Sequence, residues 1–254
     1  MATYAIGDIH GQLGALRTLL IKLDPEKNRM VFLGDYVDRG PDSAGVLDLL
    51  VQVAQECPKC VFLRGNHEWM MTHARDDETQ LKYWRESCGG DATLKSYPAP
   101  SLDAVPLAHW FFMDDTCQDM LETQKNIYVH GGVNPELPLR EQSMYQLHWR
   151  RLHEAGPHIS GKRVICGHTQ QKSGMPVNMG HTVCIDTKDW LTAFNVNDNT
   201  FMQFSDIGQW RPPKPLPPVV PVPPPPVDAK ATPTRMRLPQ WVNDEELDAH
   251  DEAH

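Results

Sequence analysis

Six side chains with metal-binding chemistry recur in one kind of place along this sequence. Asp8, His10, Asp35, Asn66, His130 and His168 each follow a short apolar run and stand beside glycine. A packed strand fixes such a residue, and a neighbouring glycine lets backbone or ligand come close. Each has an ordinary explanation alone: Asp8 could cap a helix, Asn66 could satisfy a turn, and His130 or His168 could be a hydrogen-bonded histidine at a strand end. Together they form a mixed carboxylate, carboxamide and imidazole set. That set suits Mn²⁺, Fe²⁺ or Zn²⁺ better than calcium. Two such ions sharing a carboxylate would activate a water between them and polarise phosphorus-bound oxygens. Arginines would then be needed, because a transferring phosphoryl group spreads charge over its oxygens and guanidinium forks hold two at once. Arg39 and Arg64 lie beside the ligand loops, and Arg150 in "LHWRRLHE" is a third candidate.

The elements that must position these residues repeat. "TYAIGDIHG", "RMVFLGD" and "KCVFLRGNHE" are strands that end in glycine followed within a residue or two by Asp or Asn. The first two lead into helical faces, Leu13, Leu16, Leu19, Leu20 and Leu23, then Val46, Leu49, Leu50 and Val53. Further strands fit 126–132, 162–169, 182–187, 191–196 and 201–204. Early strands layered with helices and later strands closely spaced predict an α/β fold, two central mixed sheets flanked by helices, with ligands beyond the carboxyl ends of the strands. Between His67 and Trp110 the pattern is irregular. A helix ending at Gly89-Gly90 and then a short link are expected there, as a cap that shapes substrate access.

Composition confines the globular part. Ten of the fifteen residues from Pro212 to Pro226 are proline, and six acidic residues fall between Trp241 and His254 with no Lys or Arg. The expected organisation is a domain over 1–210, a proline-rich segment over 211–227 and an acidic tail over 228–254. The formal charge of -9 gives no basic field for a nucleic acid polymer. No eighteen-residue apolar run or secretory start occurs, so no membrane partner and a cytoplasmic location are the default expectations. The proline-rich segment offers a polyproline II ligand to a partner with an aromatic groove. Six cysteines, including the "CPKC" at 57–60, lack the companions of a structural zinc site and read as reduced thiols.

The ordered pieces "GDIHG" (7–11), "GDYVDRG" (34–40), "LRGNHE" (63–68), "HGG" (130–132) and "GHT" (167–169) resemble the phosphoprotein phosphatase family of calcineurin-like metallophosphoesterases, in the form of bacterial serine/threonine protein phosphatases. The resemblance spans residues 4–205 and implies a four-layer αββα sandwich. It further implies that Asp8 and His10 bind one divalent ion, that Asp35 bridges two, and that Asn66, His130 and His168 bind the second. Mn²⁺ is the expected metal, with Fe or Zn as alternatives. A metal-bridging hydroxide would attack phosphorus in line. His67 would protonate the leaving oxygen, with Asp38 orienting its ring. Arg39, Arg64 and Arg150, preferred over Arg151, would hold the phosphate of a phosphorylated protein or small ester. His181 is peripheral. "GHTQ" and "CIDTKDW" depart from the family at Gln170 and Lys188 without removing a ligand. "GNHE" and the "DRG" form favour a protein phosphatase over a symmetrical dinucleoside tetraphosphatase, and a noncatalytic module working through the proline-rich segment is the remote alternative.

Overall fold

The structure, a computed structural model, describes residues 1–220. The acidic tail expected over 228–254, and residues 221–227 of the proline-rich segment, lie outside the described residues. The strands are β1 (Thr3–Ile6), β2 (Arg29–Phe32), β3 (Val61–Phe62), β4 (Met120–Glu122), β5 (Asn126–Val129), β6 (Arg163–Cys166), β7 (Val177–Asn178), β8 (Thr182–Cys184), β9 (Leu191–Asn195), β10 (Thr200–Phe204) and β11 (Trp210–Pro215). The helices are α1 (Leu13–Leu23), α2 (Ser43–Glu56), α3 (Asn66–His73), α4 (Glu78–Tyr83), α5 (Gly90–Lys95), α6 (Leu107–Phe111) and α7 (Met144–Trp149).

Two mixed sheets face each other, ordered β11-β10-β9-β1-β2-β3 and β4-β5-β6-β8-β7. The strands that carry the glycine-ended motifs are parallel neighbours: β1 with β2, β2 with β3, and β5 with β6. Their carboxyl ends therefore collect at one end of the sandwich. Ala5, Val31, Leu33, Leu63, Tyr128, Ile165, Val183, Ile185, Phe194 and Phe201 form a core between the sheets. Their alternation along each strand leaves Ile6, Met30 and Phe32 to pack on the other side against α1 and α2. A third cluster, with Val129, Leu147, Leu152 and Val164, covers the far face of the second sheet near α7. The expected α/β sandwich of two mixed sheets flanked by helices is what forms.

Local sequence sets the element ends. α1 buries Leu13, Leu16, Leu19 and Leu23 and stops two residues before Pro25. Asp42 caps α2 by accepting the Gly45 N–H at 2.8 Å. Leu47, rather than the expected Leu49, joins Val46, Leu50 and Val53 on its buried face. The cap helix also ends as expected: α4 continues into a π turn over Trp84–Cys88 and closes at Gly89, whose φ of 99° suits glycine. A second helix replaces the expected link. The left-handed turn at Gly89 lets α5 start at once and places Thr93 and Leu94 inward.

β11 carries the chain beyond the 210 boundary, pairing with β10 from Phe204↔Trp210 to Thr200↔Pro215. Proline lacks a ladder donor and is tolerated because β11 is an edge strand. The chain then reaches the edge of the second sheet. Asn178 donates its side-chain amide to the Pro217 carbonyl at 3.1 Å, and Val220 donates its N–H to the Asn178 carbonyl at 2.8 Å. The first part of the proline-rich segment thus lies along both sheets.

Candidate metal and phosphoryl-transfer site

The loops after β1, β2, β3, β5 and β6 bring Asp8, His10, Asp35, Asn66, His130 and His168 together. Inward-facing atoms of Asp35, His130 and His168 lie within 4.8 Å of one another, as do those of His10, Asp35 and His67. Asp35 belongs to both groups. Asp8 joins them by accepting the His168 main-chain N–H at 3.2 and 3.3 Å. A side chain on Gly167 would collide with that carboxylate, and one on Gly65 with the carboxylate of Asp35, so glycine is required at both loops.

The imidazole hydrogen bonds decide what the cluster can hold. His10 Nδ1 lies 2.8 Å from the Val37 carbonyl, His130 Nδ1 lies 2.9 Å from that of Leu33, and His168 Nε2 lies 3.1 Å from that of Trp149. A carbonyl only accepts, so each ring donates there, and in the neutral ring the opposite nitrogen presents a lone pair. At His130 and His168 those lone pairs face oxygens. His130 Nε2 and His168 Nδ1 are each 2.9 Å from Asn66 Oδ1, and His130 Nε2 is 3.3 Å from Asp35 Oδ1. Acceptors facing acceptors are reconciled by a cation between them, either a metal ion or, at His130, whose pKa Asp35 raises, a ring proton. Asp8, His10, Asn66 and His168 each retain 7–8% exposure, which leaves the donors within reach of solvent ions.

Charge agrees with this. Burial raises the Asp8 carboxyl well above its usual range, helped by the nearby Asp186 and Asp35. Burial and Asp35 likewise push Asp186 up to about 6. Burial opposes ionisation of Asp35 too, but His130 and His67, whose own pKa values its charge raises, hold it well below the carboxylate range. Burial drives His10 down to about 3 and His168 well below the imidazole range, so both offer neutral nitrogen. Three crowded carboxylates and neutral imidazoles suit divalent cations.

His67 stands apart in its bonding. Its Nδ1 is 2.6 Å from Asp38 Oδ2. Burial alone would lower its pKa, but the Asp35 charge and the Asp38 hydrogen bond overcome this and raise it. The Arg39 guanidinium lies 2.8 Å from His67 Nε2 and 2.9 Å from His10 Nε2, at the mouth of the cluster. Five of the eight non-glycine residues with positive φ among the described residues are His10, Asp35, Asp38, Arg39 and His168. Such backbone persists only where its surroundings enforce it, as at functional loops.

Two predicted arginines are placed differently. Arg64 donates through Nε and Nη2 to the Met113 and Asp114 carbonyls, so its fork fastens the turn at 112–116. Arg150 packs along Gly132 and donates to the Glu154 carbonyl, whereas Arg151 Nη1 reaches the His168 carbonyl at 3.4 Å. Arg151, set aside in the sequence, thus touches the loop that carries His168, and Arg150 the loop that carries His130. His181 stays peripheral, bonded to Thr182.

Other residues escaped the sequence reading. Glu68 is fully buried; its Oε2 accepts the Asp35 and Gly65 N–H groups at 2.8 and 2.9 Å, and its Oε1 those of Tyr36 and Val37 at 2.7 and 3.3 Å. It ties the loop after β2 to that after β3, and its place in "GNHE" was the available signal. Asp186 in "CIDT" was equally in view. Trp84 and Thr93, which bond Asp38, sit in the irregular cap and carried no local signal.

A family model for calcineurin-like phosphoesterases matches residues 1–182. The chain belongs to the calcineurin-like phosphoesterase family. Within it, the catalytic subunit of serine/threonine-protein phosphatase 4 from Kluyveromyces lactis is 36% identical over 136 residues, 52% of this chain and 39% of that protein. A symmetrical bis(5'-nucleosyl)-tetraphosphatase from Pseudomonas fluorescens is 32% identical over 147 residues, 57% of this chain and 46% of that protein. The chain therefore matches less than half the length of each of these two curated relatives. Among solved structures, the fold is shared with a cold-active protein-tyrosine phosphatase of a psychrophilic Shewanella, at a TM-score of 0.54, 18% identity and coverage of 82% of this chain and 79% of that one. It is also shared with a serine/threonine phosphatase from Saccharomyces cerevisiae, at a TM-score of 0.51, 18% identity and coverage of 77% and 73%. Among the described residues of this calcineurin-like phosphoesterase, no helix is long and apolar enough to cross a membrane.

Proposed function

We propose that this chain is a dimetal phosphomonoesterase of the protein serine/threonine phosphatase kind. The observation that carries the reading is the convergence of lone pairs: His130 and His168 spend their N–H groups on main-chain carbonyls and turn their other nitrogen toward Asn66, while His10 does the same on Val37 and sets its Nε2 3.5 Å from Asp35, beside the Arg39 guanidinium. Asp8, His10 and Asp35 would hold one divalent ion, and Asp35, Asn66, His130 and His168 a second, with Mn²⁺ the expected metal. Bound there, the ions supply a water of lowered pKa and a Lewis acid for phosphoryl oxygens.

The chain's own groups do the rest. Arg39, exposed beside the cluster, and Arg151, beside His168, bind and orient the phosphoryl oxygens. His67, whose pKa Asp35 and Asp38 raise against burial, gives an Nε2 proton to the departing oxygen once Arg39 turns from that nitrogen to the phosphate. Arg64 fastens the 112–116 turn through Nε and Nη2. The Glu68 tie between loops supports the protein-phosphatase form, because that glutamate is the residue by which "GNHE" differs from "GNHD". The tetraphosphatase relatives favour a second reading, hydrolysis of symmetrical dinucleoside tetraphosphates. The Mn²⁺-loaded chain should be assayed on phosphoserine, phosphothreonine and phosphotyrosine peptides, small phosphomonoesters and diadenosine tetraphosphate. We expect peptide hydrolysis, and His67→Asn should lower turnover by about 10²–10⁴ with two metals retained. Unchanged turnover would remove His67 from its role, and cleavage of the dinucleotide alone would install the second reading.

A further inference from the structure

Asp38 is fully buried and is gripped on both carboxylate oxygens. Oδ2 accepts from Trp84 Nε1 at 2.8 Å as well as from His67 Nδ1 at 2.6 Å. Oδ1 accepts from Thr93 Oγ1 at 2.7 Å, and the same hydroxyl oxygen accepts the Asp38 main-chain N–H at 2.8 Å. Trp84 and Thr93 are themselves fully buried. Both come from the cap, on either side of the Gly89 turn, whose carbonyl also accepts the Arg39 N–H at 3.3 Å.

We propose that Trp84 and Thr93 are positioning residues that aim the Asp38–His67 pair at the departing oxygen, so that the cap completes the acid half of the site. A carboxylate turns through a broad torsional well about its last bond. With His67 as its single partner, the Asp38 plane would swing and carry the imidazole with it. A donor on each oxygen fixes that plane, and no water reaches this position to replace a lost one. The acid matters in proportion to the basicity of the oxygen it protonates. A serine alkoxide cannot leave without the proton, whereas a dinitrophenolate can. Misaiming His67 therefore penalises the serine ester far more than the activated one, a selectivity that general loosening of the fold does not produce.

The inference rests on the phosphomonoesterase reading. Full-length Trp84→Phe, Thr93→Val and Thr93→Ser would be loaded with Mn²⁺ and assayed on a phosphoserine peptide and on dinitrophenyl phosphate, recording kcat, KM, bound metal and melting temperature. Trp84→Phe and Thr93→Val should lose about tenfold or more in kcat on the peptide and less than about threefold on the activated ester. Thr93→Ser, which keeps the hydroxyl, should stay within about threefold of the parent on both. The valine variant, nearly equal in volume to threonine, guards against a Trp84→Phe protein that misfolds. Equal losses on both esters, or no loss on the peptide, overturn the positioning role while leaving the phosphomonoesterase reading intact. A parent protein that hydrolyses neither ester overturns both.

Discussion

Glu68→Gln tests whether the site loops are held together as described. The carboxylate accepts four main-chain N–H groups, two on each oxygen. An amide can satisfy only one pair. Its nitrogen would face Tyr36 and Val37, because Val37 makes the longest bond at 3.3 Å. Two buried N–H groups then lose their acceptor, at about 1–3 kcal/mol each. Part of this is offset, since burial and the Asp35 charge push the Glu68 carboxyl up to about 7 and the amide relieves that charge. A net loss of about 2–3 kcal/mol remains, and for a chain of this size each kcal/mol lowers Tm by about 2–4 °C. The expected fall is about 5–10 °C in scanning calorimetry. Because Asp35 hangs from the same loop, Mn²⁺ affinity by titration calorimetry should weaken together with Tm. Glu68→Asp keeps the charge but falls one methylene short, and should also destabilise. A Gln variant that melts within 2 °C of the parent (a margin smaller than about 1 kcal/mol) and binds Mn²⁺ equally would refute the reasoning.

Three further outcomes are expected. Arg151→Ala should raise KM for a phosphopeptide by about tenfold, the loss of a charge-assisted hydrogen bond, while Arg150→Ala changes it less; steady-state kinetics on the pair would show the reverse if Arg150 held the phosphate. Chelation should lower Tm, because an ion at 100 times its Kd stabilises by about 2.7 kcal/mol; melting curves with and without chelator check this, and coincident curves would argue against a resident ion. Burial holds His109 below the usual imidazole range despite its 2.9 Å contact with Asp48. The unfolded ring therefore takes up its proton first, so this contribution to stability is full above about pH 6.5 and is lost as pH falls. His109→Gln should flatten the acid-side slope of urea-derived stability between pH 7.5 and 5.5, values about one unit either side of that pKa, and a steeper slope would contradict the assignment.

Much of the site was legible because its ligands are written beside the strands that carry them. Short apolar runs, each with a glycine beside the ligand that follows, located five loops without any knowledge of how the sheets stack. The hidden residues depended on contacts across the fold. Arg150 and Arg151 are adjacent in sequence, and only the backbone direction after α7 decides which one turns to His168. Arg64 also donates to carbonyls about fifty positions away, a contact that nothing beside it in the sequence announces. Trp84 and Thr93 meet Asp38 across 46 and 55 residues of chain, in a region whose periodicity is broken by a π turn. α5 was missed because a glycine pair that ends one helix also permits the next to begin. The start of β11 was obscured by its prolines, which argue against a strand everywhere except at an edge.

The central place of β1 governs when the site can come into being. β1 lies between β2 and β9, and its outer ladder joins Tyr4 to Asn195 and Ile6 to Ala193, with the Gly7 N–H donated to the Thr192 carbonyl at 2.9 Å. Asp8 and His10 come directly after that strand. At about 5–20 residues per second of synthesis, the loop that bears them waits tens of seconds for the segment that completes its support. Pairing so distant in sequence also closes slowly once the chain is free. A chain stopped before β9 would carry every one of the six ligands and still lack the frame that aims the first two.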